Sequence, residues 1–271
     1  MNKNNTAKGS IPPLLIVRHE GNYACGVGND VLAWITRKVL RRSDAFIIHD
    51  PDRSLWDNLM MSFCENDYIL KILNLTESEP SMRYNPFMYV KDERGISKFA
   101  ASLISGTKGL GEQGDIDFIV CETMLLEALI SYINREIPTH EQTIKTLVDL
   151  LEHMVIENYQ EGYVSATDII FGEKCIEELQ HPSVLLYAKF KNATGSYEEV
   201  LRIAESCIAR LSPFRTRKMS YLLSGDDLRL DRLTAHKTAL FIVDGNANEE
   251  TKMIIPLMYS QLLDALHQKH D

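Results

Sequence analysis

Between residues 21 and 40 the chain reads GNYACGVGNDVLAWITRKVL, a glycine-studded turn set between the apolar run LLIVRH and a helical pattern. Nucleotide-binding folds place such a turn around phosphate, because backbone N–H groups and a helix N-terminus converge there on the anion. The chemistry also needs a lysine for positive charge and a following Ser or Thr to hold magnesium. This turn has neither, since no lysine occurs between Lys8 and Lys38. Asp30, at its end, reads instead as a helix N-cap whose carboxylate accepts from the first free amides. A second candidate is Asp50, the acid that closes the apolar run AFIIHD; strand ends in open sheets often point at ligands, so it marks a possible site edge.

Other chemistry-bearing patterns read as structure. GLGEQG at 109–114 satisfies GxGxxG, yet it follows the helical GISKFAASLI rather than a strand, and a dinucleotide site needs strand, turn and helix in that order. A mobile loop fits it better. Neither HExxH nor GxSxG occurs, and His267 with His270 sit in a terminal tail. Glu122 and Glu127 lie in an amphipathic helical pattern, where charges are ordinarily a solvated face. Two basic groups, Arg37, Lys38, Arg41 and Arg42, then Arg210, Arg215, Arg217 and Lys218, read as solvated helix ends that complement the dipole. The five cysteines form no CxxC pair and are odd in number, which suits reduced thiols better than disulfides or zinc. No cofactor and no metal are expected.

The elements that must position these residues follow from periodicity. Residues 13–96 alternate short apolar runs with helical segments, the pattern of a parallel, helix-covered sheet. From 97 to 220 the apolar spacing stays helical through FIVCETMLLEALISYI, EQTIKTLVDLLEHMVI, ATDIIFGEKCIEEL, PSVLLYAKF and YEEVLRIAESCIARL. KTALFIVDG then returns to a buried-strand pattern and a last helix, TKMIIPLMYSQLLDALHQ, closes the chain. The expected organisation is a polar tail at 1–12, an α/β domain at 13–96 plus 221–271, and an all-helical insertion at 97–220. At 271 residues, 45% apolar and 25% charged, the chain has ordinary globular composition; no apolar stretch reaches the roughly 18 residues of a membrane span. A net charge of -9 gives no general attraction to nucleic acid.

That order, with several words in it, resembles the nucleotide-binding domain of conjugative type IV secretion coupling proteins, the TraG/TraD-like ATPases of DNA transfer. The words are AFIIHDPDRSLWD, where the family has an apolar strand ending in DPKGE, YILKILNL followed by MRYNPF, and HKTALFIV with MYSQLLDAL. DIDFIVCETMLLEALISYI and KFKNATGSYEEVLRIAESCIARL look like helices of the family's all-alpha insertion. The resemblance implies a mostly parallel, RecA-like partial sheet interrupted by that insertion. It also supplies a register: the family's P-loop lysine lies about twenty residues before the aspartate of the DPKGE strand, and the residue twenty before Asp50 is Asp30. Gly26 and Gly28 then stand in the glycine arch, Asn29 replaces the glycine before the lysine, and Val31 replaces the magnesium-binding Ser or Thr. A carboxylate where lysine belongs repels phosphate. The family's Walker B acids, expected after the helix MYSQLLDAL, have no counterpart before Asp271.

The implied reading is a degenerate, truncated or fragmentary coupling-protein domain without ATPase activity, engaging a protein partner such as a relaxosome or secretion component through its helical insertion. Direct nucleic-acid binding is expected to be weak or absent, and the location cytoplasmic, peripheral to a membrane secretion complex. Acids of the insertion, Glu157, Glu161, Glu173, Glu177, Glu178, Glu198 and Glu199, favour a basic partner. The alternative is an ATP-binding coupling ATPase whose site a neighbouring subunit completes.

Overall fold

The computed structural model describes residues 14–18, 27–40, 45–76, 80–112, 114–155, 164–245 and 247–267, with the backbone alone described at 14–18, 27–31, 249–250 and 266–267. It divides into two compact units: 1–82 with 227–247, and 83–226 with 248–271.

The first unit is a four-stranded, wholly parallel sheet in the order β1-β2-β4-β3. Its strands are β1 (Leu14–Arg18), β2 (Ala45–His49), β3 (Ile69–Asn74) and β4 (Thr238–Val243). Helices α1 (Val27–Leu40) and α2 (Ser54–Glu65) connect the first three. KTALFIVDG joins the sheet as β4 and pairs directly with AFIIHD, Phe46 opposite Ala239 and His49 opposite Ile242, although nearly two hundred residues separate them. It lies between β2 and β3, and all six of its residues are buried, which explains its unbroken apolar run. The core gathers Ile35 and Val39 of α1, Phe46 and Ile48 of β2, Leu55, Leu59 and Phe63 of α2, and Phe241 of β4. Its aromatics meet edge to face, Phe46–Phe63 at 5.2 Å and Trp56–Phe241 at 5.1 Å.

The second unit is helical: α3 (Glu93–Gly106), α4 (Ile116–Glu136), α5 (Ile144–Glu152), α6 (Ala166–Glu177), α7 (Pro182–Ala193), α8 (Tyr197–Leu211), α9 (Arg217–Leu222), α10 (Glu249–Lys252) and α11 (Ile254–His267). Local signals set the starts: Asp92, Asp115, Thr143, Ser165 and Ser196 each accept an amide two or three residues into the helix they precede. Ser165 and Asp168 form a reciprocal capping box. Long α4 forms the axis, packing on α3, α5, α7 and α8.

These boundaries differ from those expected at 96/97 and 220/221. The turn after Arg83 is anchored in the helical unit: the Tyr84 hydroxyl donates to Gln261 Oε1 of α11 at 2.5 Å, while Gln261 Nε2 donates to the Pro86 carbonyl at 2.9 Å. Asn85 accepts from the Phe87 amide and donates to the Gln142 carbonyl. The terminal helix therefore belongs with the helical unit. It is also split at Met253 rather than continuous, because Pro256 has no N–H to offer the Lys252 carbonyl and is tolerated only in a first turn.

Candidate functional site

The C-terminal ends of β2, β3 and β4 gather the polar residues of the sheet unit. Chain direction fixes this, since parallel strands end on one edge and each apolar run is followed by a polar residue there. Past β2, the Asp50 amide donates to the Ile242 carbonyl at 2.8 Å, extending the ladder with β4. The Asp50 side chain is fully buried, and both its oxygens are engaged: Oδ1 accepts from the Leu55 amide at 3.1 Å and Oδ2 from the Trp56 amide at 2.8 Å. It acts as a cap for α2 from outside the helix, which begins with Arg53 in the left-handed region at φ 64° and no cap from that residue's own side chain. Burial raises the Asp50 pKa, the two amides oppose it, and nearby Asp52 adds to the rise; the net shift is upward.

Asp244, after β4, is paired with His49 at the end of β2, Nε2 to Oδ1 at 2.9 Å. Gly245 follows it because nothing larger fits: a Cβ there would stand 2.4 Å from the Pro51 carbonyl oxygen, to which the Gly245 amide donates at 2.9 Å. At the end of β3, Asn74 Oδ1 accepts from the Thr76 amide and hydroxyl at 2.9 and 2.8 Å. Among the described residues, buried Asn74 Nδ2 has no hydrogen-bond partner. His49 and Asp244 thus pair with each other across two strand ends, while Asp50 serves the backbone at the start of α2.

The loop positions are placed less fully. Gly26 lies outside the described residues; Gly28, Asn29, Asp30 and Val31 fall within the backbone of α1, whose side chains there also lie outside them. Because α1 runs from Val27, the backbone of Asp30 lies inside the helix and not at the N-cap, a correction to the sequence expectation. Of the terminal histidines, His267 ends α11 and His270 lies outside the described residues.

Three readings of the helical unit are also corrected. Within GLGEQG, Gly111 and Glu112 are anchored rather than loose: Gly111 takes φ 74° so close to α8 that a Cβ would stand 2.7 Å from Ser206 Oγ, and the Glu112 amide donates to that same oxygen at 2.7 Å. Glu122 is not on a solvated face. It is fully buried, accepting at Oε1 from Ser206 Oγ at 2.6 Å and from Arg210 Nε at 2.7 Å. Arg210 is likewise buried, and also donates to the Thr107 carbonyl at 3.3 Å, so it is not a solvated helix end. Helical periodicity alone missed the pair because Glu122 lies beside the apolar residues Cys121 and Leu125, and nothing in sequence marks its partner 88 residues on. Burial, with the Glu122 charge beside it, pushes the neighbouring Cys207 thiol well above its usual range.

Matched against family models, residues 33–271 align with the family described as type IV secretory system conjugative DNA transfer. The chain belongs to this family. The match of this conjugative-transfer chain includes Asp50 and both β2 and β4, and begins after Val31. Among solved structures it is similar to the bacterial conjugative coupling protein TrwBdeltaN70 in an unbound monoclinic form, with 16% identity, a TM-score of 0.45, and coverage of 93% of this chain and 50% of that one. A second similar structure is plasmid coupling protein TrwB in complex with ADP and Mg2+, with 17% identity, a TM-score of 0.49, and coverage of 93% and 52%. The chain therefore spans about half the length of the solved structures it matches. No curated protein matches it. Among the described residues of this family member, no helix is long and apolar enough to cross a membrane.

Proposed function

We propose that this chain acts in conjugative DNA transfer by binding a protein partner through its helical unit, without hydrolysing ATP. The observation that carries the reading is the state of Asp50: both oxygens at the strand end are held by amides of α2, leaving a structural clamp where a ligand-facing carboxylate was the alternative. Asp30 where the family resemblance puts a lysine, and Val31 where it puts a magnesium ligand, support the same reading. The partner is a basic protein of the relaxosome or secretion apparatus. Exposed Glu173, Glu177, Glu178 and Glu198 favour it over naked DNA; Glu199 is half-buried and accepts the Gly195 amide, and Glu157 and Glu161 lie outside the described residues. The location is cytoplasmic, with membrane contact made through partners.

The test is a pulldown with the purified 271-residue chain from cells carrying a conjugative element, in parallel with titration of single-stranded DNA. Recovery of relaxosome or secretion proteins with negligible DNA affinity is the expected result. Strong, salt-sensitive DNA binding without protein recovery refutes the proposed partner class.

A further inference from the structure

Helix α6 presents an apolar row to solvent. Ile169 is 51% exposed and Ile176 89% exposed, and seven residues of α-helix put them on one face about 10 Å apart. Gly172 lies between them on that face. A Cβ there would meet nothing within 4 Å, so no contact within the fold demands a residue that weakens a helix interior. The opposite face is the one that packs inward, through Thr167 and Phe171, the latter stacked on Tyr187 at 4.0 Å. Leu179, 64% exposed, continues the apolar surface past the helix end. The glycine leaves a shallow seat flanked by two isoleucines, the shape into which a second helix packs closely.

The rim decides the occupant. Glu173 and Glu177, on the flank of this row, are exposed, while Lys174, the single cation in α6, is engaged with Glu136 at 2.7 Å and Glu177 at 3.4 Å. A second copy of this chain would set these acids against themselves. We infer that the Ile169–Gly172–Ile176 face of α6 docks an amphipathic helix of a partner protein whose apolar row is flanked by lysine or arginine. This rests on the proposed function and assigns its recognition surface. Apolar contact supplies the affinity, and the acidic rim selects the sign of the partner.

The experiment uses the full chain and the double variant Ile169→Ser/Ile176→Ser, with Ile176→Ser alone as the milder form. Both positions are exposed, so the thermal midpoints should match the parent. The probes are a synthetic amphipathic peptide with leucines at three- and four-residue spacing flanked by lysines, and an oligolysine of equal charge, each followed by fluorescence anisotropy. The amphipathic peptide should bind the parent and bind the double variant at least tenfold more weakly, while oligolysine binds both weakly and equally. Equal affinity of the amphipathic peptide for parent and variant overturns the assignment of α6 yet leaves a basic partner elsewhere on the unit intact. Failure of both peptides to bind the parent contradicts the surface and the partner class together. A parent dimer in sedimentation that the double variant abolishes gives the face to a second copy and overturns the inference.

Discussion

Asp50 carries the sheet edge because one side chain satisfies two amides that the start of α2 would otherwise leave buried and unpaired. Asp50→Ala should therefore destabilise the chain by about 1–3 kcal/mol, read as a lower urea midpoint, with Asp50→Asn intermediate since its amide can accept only one of the two bonds. Asp168 provides the pH test. Burial pulls its pKa upward, but hydrogen bonds from Ser165, Tyr187 and Lys191, with the Lys191 charge, outweigh that and lower it below 3.8. A depressed carboxylate contributes stability that is present above its unfolded value and lost as pH falls through the folded one. Urea midpoints should accordingly drop as pH is lowered from about 5 towards 2, and more steeply in the parent than in Asp168→Asn. Equal slopes would mean that the Asp168 bonds add nothing. Asp50 works in the opposite direction: its raised value makes its own contribution decline as pH rises above 3.8. Sequence named Asp50 as a strand-end acid but not its use, because AFIIHD shows that an acid follows a strand and not that two amides of the next helix fold back onto it.

At the scale of elements, α4 and α8 are joined by one buried pair, Glu122 with Arg210, and Ser206 links that pair to the Gly111–Glu112 backbone. Glu122→Ala would leave a buried guanidinium uncompensated and should cost about 3–5 kcal/mol, measured by chemical denaturation. A loss under about 1 kcal/mol would show that Arg210 finds water or another acceptor. The helices themselves were legible in sequence from three- and four-residue apolar spacing, and Ser, Thr or Asp caps agree with it at α3 to α6 and α8, while α7 opens on Pro182. The tie between elements was not. A loop such as GLGEQG looks unanchored until Ser206, nearly a hundred residues later, supplies its acceptor, and the last helix looks like part of the sheet domain until Tyr84 and Gln261 meet.

For the whole molecule, the return of KTALFIVDG to pair with AFIIHD is the feature that makes the parallel sheet, and it was readable because a buried strand announces itself by an unbroken apolar run. Loop closure cost grows only logarithmically with length, so a long helical excursion before that pairing is tolerated. Function was legible only as far as the words shared with the conjugative DNA transfer family. On the proposed reading, what this member does within that family turns on residues 26–31, where Asp30 and Val31 would stand in place of a phosphate loop's lysine and magnesium-binding hydroxyl. Titration calorimetry of the 271-residue chain with Mg-ATP tests that point most directly. The account predicts no saturable heat at micromolar protein and nucleotide; a magnesium-dependent isotherm with a defined stoichiometry would contradict it and make the chain a nucleotide-binding member of the family.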